Sequence, residues 1–217
     1  MTDYATRRTM MVDTQIRPSD VTKFPIISAM LSVPRENFVP RDTREAAYMG
    51  DNIDLGGNRT VLEPRTFAKM LDALDIQPTD FVLDIGMGHG YSAAVLSQLG
   101  EAVVAVEDDQ ARLDEATEAL SEFGADNVIP HLGELVDGAA EHGPYDIILI
   151  QGAVEHVPDM LLYQLKDGGK IACIFAQGAL GTVKIGYKLD DRVDWRASFN
   201  AGAPVLSGFQ RHRAFTL

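Results

Sequence analysis

The chain has 217 residues, of which 46% are hydrophobic and 24% charged, a balance typical of one globular domain, or one domain with an extension. Its formal net charge of −13 opposes binding to phosphate backbones and anionic membrane surfaces, so neither nucleic acid nor membrane is an expected partner. The single cysteine, Cys173, excludes an intrachain disulfide and a cysteine-based zinc site. With no signal-like or bilayer-long apolar stretch, the sequence predicts a soluble cytoplasmic protein of undetermined oligomeric state.

The N-terminal part of the chain is expected to be helical. Two helices are predicted over Tyr4–Ile16 and Val21–Leu31, with Pro18 between them and Asp20 as the N-cap of the second. A short helix is predicted over Arg41–Tyr48.

The segment from 49 to 63 has three glycines and no hydrophobic periodicity, which predicts a loop. A loop of that length in a compact protein is often a lid or a binding loop. We therefore expect residues 1–63 to form a helical cap that ends in a functional loop.

From Pro64 onward, helices alternate with short apolar strands five times. Three further segments near the C-terminus alternate polar and apolar residues, as antiparallel strands do. The predicted helices are Thr66–Leu74, Tyr91–Leu99, Gln110–Phe123 and Asp159–Leu165; the apolar strands are FVLDIG, AVVAVE, NVIPHLG, YDIILIQG and KIACIF; and the alternating segments are TVKIGYKL, WRASFN and RHRAFTL.

Strands that are apolar on both faces are typical of a parallel sheet that helices cover on each side. The sequence therefore predicts an α/β fold, a Rossmann-like doubly wound sheet that is mostly parallel, with antiparallel C-terminal edge strands. We expect residues 64–217 to form this domain and residues 1–63 to pack on it.

A glycine-rich turn follows the first apolar strand and precedes a helix. It reads Asp84-Ile85-Gly86-Met87-Gly88-His89-Gly90. Glycines let the backbone turn tightly and let a ligand approach without a side chain in the way. The third glycine comes one residue earlier than in the dinucleotide fingerprint, a spacing common in methyltransferases that bind S-adenosylmethionine (AdoMet). We take Asp84, Gly86, Gly88, His89 and Gly90 as candidate cofactor-binding residues.

Acidic residues end the next two strands. Glu107 ends AVVAVE, where a carboxylate can accept hydrogen bonds from both ribose hydroxyls, and Asp108 follows it. Glu134 and the backbone amide of Leu135 come after the third strand, where an adenine could be held. Without a ligand, the glycines would serve only to make a tight strand-to-helix turn.

Over nearly its whole length the chain resembles the protein-L-isoaspartate O-methyltransferase family. The resemblance implies AdoMet as donor, S-adenosylhomocysteine as product, a seven-stranded sheet, and contacts from Gly86, Gly88, Glu107 and Glu134. It also implies a protein or peptide substrate, in which the carboxylate of a damaged aspartyl residue is methylated. The segments that carry the resemblance are MVDTQI, AMLSVPRENFVP, AAYMGD, VLDIGMGHGYSAAVLSQL, VVAVED, NVIPHLGE, YDIILIQGAVEHVP and QLKDGGKIACIF.

The segment that corresponds to the family's acceptor loop departs from the family pattern, in which Gly-Gln-Thr-Ile-Ser-Gln-Pro precedes the helix near Pro64. Leu62 stands in place of the serine, and Arg59 and Glu63 replace the two glutamines. Gly50 stands where the family usually has an aspartate. Leucine cannot donate a hydrogen bond to a carboxylate. These changes therefore bear on which acceptor is methylated rather than on whether AdoMet binds.

Methyl transfer to a carboxylate needs alignment and exclusion of water rather than a general base. Candidate catalytic or acceptor-side residues are Thr60, Leu62, Gln151 and His156, and Gln151 is also a candidate cofactor contact. The alternatives are that Thr60 only fixes the loop and that His156 lies at the surface. No histidine or acid cluster has metal-ligand spacing along the chain, so no metal site is predicted. His131 is expected to be structural.

Three functions remain open from the sequence. The first is an active isoaspartyl methyltransferase, the second a methyltransferase with another acceptor, and the third a non-catalytic protein that binds AdoMet or S-adenosylhomocysteine. A nicotinamide dehydrogenase is a more distant alternative, which the shortened glycine spacing disfavours.

Overall fold

The computed structural model describes residues 3–178 and 180–211. The N-terminal helix α1, Tyr4–Met11, begins at Asp3, whose carboxylate accepts a hydrogen bond from the backbone nitrogen of Thr6 at 3.1 Å. A π-helical turn over Val12–Ile16 and a 3-10 turn over Arg17–Ser19 continue it. The predicted first helix is therefore confirmed.

The predicted N-cap at Asp20 is wrong. Asp20 has a left-handed backbone (φ 66°) and ends the preceding 3-10 turn instead. The second helix, α2, spans Phe24–Ser32, and its N-cap is Lys23. Pro25 lies in its first turn, where the missing N–H costs nothing.

The region between α2 and Pro64 contains less helix and more strand than predicted. The helix expected over Arg41–Tyr48 is reduced to a single 3-10 turn at Arg44–Ala46. The expected loop contains an antiparallel hairpin, formed by β1, Ile53–Gly56, and β2, Arg59–Val61. The glycines concealed this hairpin because they lie at its turn, where Gly56, Gly57 and Asn58 all have positive φ.

The rest of the chain alternates helices and strands as predicted, although α4 and α6 are shorter than expected. Its elements are α3 (Pro64–Leu74), β3 (Phe81–Ile85), α4 (Tyr91–Leu96), β4 (Ala102–Glu107), α5 (Gln110–Phe123), β5 (Val128–Leu132), β6 (Tyr145–Val154), α6 (Asp159–Leu162), β7 (Leu165–Gln177), β8 (Leu180–Leu189) and β9 (Arg192–Asn200).

Seven strands form one sheet in the order β5-β4-β3-β6-β7-β8-β9. The first five strands in this order are parallel, and β8 and β9 add an antiparallel edge. The predicted fold class is confirmed. Of the last predicted strand, RHRAFTL, residues 212–217 lie outside the described residues.

The sheet is buried on both faces. The larger hydrophobic cluster contains Met11 and Met30 from the N-terminal helices together with Phe67 of α3 and Val82 of β3. The N-terminal segment therefore shares its core with one face of the sheet. Within the described residues, no helix is long and apolar enough to cross a membrane.

After β9 the chain returns to the carboxyl end of β6. The backbone of Ala153 exchanges hydrogen bonds with Pro204 and Leu206, at 2.9 and 3.0 Å. Leu206 and Phe209 are fully buried as a result. This return places a C-terminal segment beside the edge of the sheet where ligands bind in folds of this kind.

Candidate functional site

The glycine turn lies at the point where the direction of strand order reverses. From β3 the chain proceeds to β4 and β5 on one side, and β6 then pairs with β3 on the other side. Ligands of doubly wound sheets bind at the carboxyl ends of strands at such a point. Gly86, Gly88 and Gly90 have φ of 74°, 58° and 93°, a left-handed conformation that glycine adopts without steric cost.

Asp84 ties the turn to its neighbours. Its two carboxylate oxygens accept hydrogen bonds from Ser92 Oγ at 2.5 Å and from Gln151 Nε2 at 2.7 Å. Burial raises the pKa of Asp84 to about 7, although both hydrogen bonds oppose that shift. Through these hydrogen bonds Asp84 connects β3 to α4 and to β6. Both carboxylate oxygens of Asp84 and the amide nitrogen of Gln151 are therefore hydrogen-bonded within the protein.

Glu107 is fully buried and faces the glycine turn. Its Oε2 accepts a hydrogen bond from the backbone nitrogen of Gly88 at 3.1 Å. Its Oε1 accepts from Arg59 Nε at 3.1 Å, Asp108 N at 3.2 Å and Arg112 Nε at 3.3 Å. Burial raises the pKa of Glu107, while the Arg59 guanidinium acts in the opposite direction.

Arg59 lies where the sequence predicts a ribose. Its side chain is 1% exposed, and its Nη2 lies 2.6 Å from Asp108 Oδ1. The guanidinium therefore bridges Glu107 and Asp108, two predicted cofactor contacts. Its Nη1 is buried without a hydrogen-bond partner.

Two leucines cover the glycines of the turn. A Cβ added at Gly88 would lie 2.5 Å from Leu55 Cδ1, and one added at Gly86 would lie 3.3 Å from Leu206 Cδ1. Leu55 comes from the hairpin and Leu206 from the C-terminal return. The open face of the turn is therefore filled by the chain's own side chains.

The acceptor-side residues are also closely packed. Thr60 Oγ1 donates to the carbonyl of Ile53 at 2.9 Å, across the hairpin. Leu62 is buried, and Thr60, Leu62 and Gln151 line a cavity of about 10 Å³, about the minimum for one water molecule. His156 lies after β6, where its Nδ1 is buried without a hydrogen-bond partner.

Other predicted cofactor contacts lie away from the face of the turn. His89 lines a cavity of about 630 Å³ with Arg41 and Arg44, and its Nε2 is 3.5 Å from Glu115. Burial lowers the pKa of His89. The predicted contact of His89 with the cofactor therefore has no support in its position, since it faces the side of α5 and the N-terminal cap.

Gly90 packs on α5, because a Cβ there would lie 3.2 Å from Leu120 Cγ. Close packing of a helix therefore explains this glycine without a ligand. Glu134 is exposed beyond β5, and Leu135 is buried with its Cδ1 3.6 Å from a Cβ built at Gly86. Of Glu134 and Leu135, only Leu135 therefore reaches the turn.

The polar groups at this site can bind a nucleoside, but the volume that a nucleoside would need is occupied. Glu107 and the glycine backbone supply a buried carboxylate and a side-chain-free turn, the features that bind a ribose and its neighbours. Arg59 and Leu55 fill the same volume. The polar residues therefore fit AdoMet, but the hairpin as placed here leaves no room for it.

The sequence missed two features of this structure. In the sequence Arg59 stands out only as a replacement for glutamine, and no local pattern indicates that it reaches Glu107. His131, Glu141 and His142 converge, with one ligand atom from each lying within 4.8 Å of the others. The spacing of these residues along the chain does not reveal the cluster, because β5 and the 3-10 turn Ala140–His142 meet only in the fold.

The sequence profile of the Protein-L-isoaspartate(D-aspartate) O-methyltransferase (PCMT) family matches residues 6–188. A Protein-L-isoaspartate O-methyltransferase from Roseiflexus castenholzii is 36% identical over 169 residues, which cover 78% of this chain and 77% of the relative. One from Polaromonas sp., Protein-L-isoaspartate O-methyltransferase 2, is 38% identical over 146 residues, covering 67% and 69% of the two chains.

Solved structures agree with these matches. A protein-L-isoaspartate O-methyltransferase superposes with a TM-score of 0.81 at 26% identity, covering 93% of this chain and 66% of that one. A Plasmodium falciparum structure, assigned as a protein-L-isoaspartate O-methyltransferase and solved with S-adenosyl-L-homocysteine, has a TM-score of 0.79 at 15% identity, and so supports the fold alone; it covers 95% of this chain and 99% of that one.

These matches confirm the predicted family, and with it the predicted enzyme class and cofactor. The chain belongs to the protein-L-isoaspartate(D-aspartate) O-methyltransferase family, a family of AdoMet-dependent methyltransferases.

Proposed function

We propose that this chain transfers a methyl group from AdoMet to a carboxylate of damaged aspartyl residues in proteins or peptides. Beyond family membership, the observation that carries the proposal is the buried carboxylate of Glu107, hydrogen-bonded to the backbone of Gly88 at the carboxyl end of β4. A carboxylate at the carboxyl end of this strand, beside glycines that leave no side chain of their own in the way, is the arrangement that binds a ribose in folds of this kind.

The residues that would hold the cofactor follow from this position. Glu107 would accept hydrogen bonds from the ribose hydroxyls, and Gly86 and Gly88 would let the backbone approach the ligand. Leu135 would contact the adenine, with Glu134 at the outer edge. Residues 1–63 would act as a cap over this site, and residues 64–217 as the AdoMet-binding domain.

When bound, AdoMet supplies a methyl group on a positively charged sulfur, which is ready for displacement. The chain's own task is to align an acceptor and to exclude water. A carboxylate acceptor is already anionic at neutral pH, so no general base is needed. Thr60, Leu62 and Gln151 are the residues proposed on the acceptor side.

Leu62 favours a second candidate, a methyltransferase with a different acceptor. Its side chain is buried beside Thr60 and Gln151 and offers no hydrogen-bond donor. A site that must position a carboxylate gains from a donor at this place; in a different reaction, acyl transfer, removing a single positioned donor changes rates by about 10²–10³. An apolar residue here suits an acceptor that needs no such donor.

Methyl transfer from labelled AdoMet to an isoaspartyl peptide tests the proposal, with the aspartyl form of the same peptide as a control. The wild type, Leu62→Ser and Leu62→Ala are compared, since serine and alanine leave a similar cavity and differ by a hydroxyl. Thermal melting checks that each variant is folded.

Wild-type activity on the isoaspartyl peptide alone would support the proposed substrate. Activity gained by Leu62→Ser and not by Leu62→Ala would support a shift of acceptor at this position. If all three proteins bind AdoMet and none of them methylates the isoaspartyl peptide, the isoaspartyl assignment is overturned.

A further inference from the structure

The carboxylate that would hold the ribose already has a ligand from its own chain. Arg59 donates Nε–H to Glu107 Oε1 at 3.1 Å and places Nη2 2.6 Å from Asp108 Oδ1. Both contacts are charge-assisted, and the Arg59 and Glu107 side chains are 1% and 0% exposed. A ribose hydroxyl and the Arg59 guanidinium would compete for the same oxygen.

The same hairpin also covers the glycine turn. Leu55 of β1 lies against Gly88, with its Cδ1 2.5 Å from the position of an added Cβ. Leu55 can lie this close only because glycine has no side chain. In sites of this type the same space lets a ligand approach the backbone. One short element therefore fills both the polar and the apolar part of the site.

The ends of the hairpin are fixed, while its middle makes the contacts with the site. Asn52 donates from Nδ2 to the carbonyl of Gly202 at 2.8 Å and accepts from the backbone nitrogen of Glu63 at 2.7 Å. Between them, Gly56, Gly57 and Asn58 make the turn. A two-stranded hairpin alone is marginally stable, so its contacts with the site decide whether it stays in place.

We propose that the hairpin formed by residues 53–61 occupies the cofactor site, and that AdoMet binds only after Arg59 has left Glu107. This inference rests on the proposed function. It makes Arg59 a residue that sets cofactor affinity, because the observed dissociation constant is the intrinsic one divided by the fraction of molecules with the site open.

Calorimetric titration with AdoMet and with S-adenosylhomocysteine tests the proposal in the full chain. Arg59→Gln removes the competing charge, and Leu55→Ala clears the glycine turn without changing charge. Arg65→Gln is the matched control, because it makes the same change of residue and charge outside the hairpin. Arg65 is exposed, and its Nη1 lies 3.9 Å from Glu63 Oε1. We expect at least about tenfold tighter binding for each hairpin variant and a change within about twofold for the control.

Hydrogen exchange provides a readout that is independent of activity. Saturating S-adenosylhomocysteine should speed exchange at amides 53–61 and slow it at amides 86–90, because the ligand displaces one segment and orders the other. Melting curves identify a variant that fails to fold. Leu55→Ala decides the outcome if Arg59→Gln does not fold.

Equal affinities in the wild type and both hairpin variants, with unchanged exchange at 53–61, would overturn the inference and leave the proposed function standing. Weaker binding by Arg59→Gln would also overturn it, because Arg59 would then be a cofactor contact. Failure of all proteins to bind either ligand would overturn the proposed function, and the inference with it.

A second observation, at the outer edge of the sheet, is independent of this site. His131 of β5 lies with its Nδ1 3.6 Å from Glu141 Oε1, and the rings of His131 and His142 meet edge to face with centroids 5.7 Å apart. Among residues 3–178 and 180–211, this is the one group of three such side chains whose ligand atoms lie within 4.8 Å of one another.

Two imidazoles and a carboxylate form a ligand set that zinc uses, with a fourth position left to water. Zinc–nitrogen bonds of about 2.0–2.1 Å in a tetrahedron place ligand atoms about 3.3 Å apart. The three ligand atoms now lie within 4.8 Å of one another, so the side chains would rotate slightly to reach this spacing, and Glu141, 62% exposed, has room to do so. A net charge of −13 also favours a cation. We infer that His131, Glu141 and His142 bind a divalent transition metal ion such as Zn²⁺.

Titration of metal-free protein with ZnCl₂ tests this site, with MgCl₂ as a comparison. We expect saturable one-to-one binding of zinc that His131→Ala, His142→Ala and Glu141→Gln each weaken, the histidine variants by at least about tenfold. His156→Ala, which lies outside the cluster, should bind as the wild type does. Absence of zinc binding, or equal binding by the histidine variants, would overturn the inference.

Discussion

Arg59 and Glu107, 48 positions apart in the chain, form an ion pair of 3.1 Å between side chains that are almost completely buried. The pair joins the hairpin β1–β2 to the carboxyl end of β4. It therefore links the stability of the fold to the accessibility of the glycine turn.

Removing one partner of this pair should destabilise the protein strongly. Glu107→Ala leaves the Arg59 guanidinium buried without Glu107, and we expect a loss of about 3–5 kcal/mol in the free energy of unfolding. Urea denaturation measures it. The double variant Glu107→Ala, Arg59→Met should recover part of the loss, because the fully buried guanidinium is removed together with its buried partner; a purely additive double variant would contradict this account.

The pH dependence of stability should carry a contribution from Asp84. Its folded pKa is about 7, against an ordinary value of 3.8, so the folded protein holds a proton that the unfolded chain releases between these values. The contribution is fully present below about pH 4 and is lost as the pH rises through 7. A shift of about 3 units corresponds to about 4 kcal/mol.

Asp84→Asn removes this titration while keeping the shape of the side chain. Relative to this variant, the wild type should lose stability steadily from pH 4 to pH 7 and then level off. Parallel stability curves of the two proteins over that range, from urea denaturation at each pH, would show that Asp84 does not titrate in this way.

Gly88→Ala should destabilise the protein by more than the strain of its left-handed backbone alone would. Alanine at a left-handed φ costs about 1 kcal/mol, and its Cβ would also displace Leu55. Gly124→Ala is the matched control, because its φ is 82° and nothing lies within 4 Å of an added Cβ. We expect Gly88→Ala to lower the melting temperature more than Gly124→Ala does.

In a Leu55→Ala background this difference between Gly88→Ala and Gly124→Ala should largely disappear. A difference of the same size in that background would mean that Leu55 does not pack on Gly88.

Thr60 should contribute to the hairpin through its hydroxyl. Thr60→Val removes the hydrogen bond to the Ile53 carbonyl at nearly constant volume and should cost about 1 kcal/mol in the free energy of unfolding. Thr60→Ser, which keeps the hydroxyl, should retain most of that stability. If valine is tolerated at no cost in stability while methyl transfer is lost, Thr60 acts on the acceptor instead.

Local sequence patterns were sufficient for the framework of this protein. Uniformly apolar strands alternating with helices predicted the doubly wound sheet, because each strand must be covered on both faces. The hairpin was missed because its strands are short and its glycines resemble those of a loop.

The sequence by itself determined the family, the parallel sheet, the glycine turn and the position of Glu107 at the end of a strand. These features depend on side-chain periodicity and on backbone conformations that particular residues adopt, and both are local properties. Only the tertiary structure decided what lies against the turn. Leu55, Arg59 and Leu206 reach it from two distant segments, and their meeting depends on how the whole chain folds back across the carboxyl edge of the sheet.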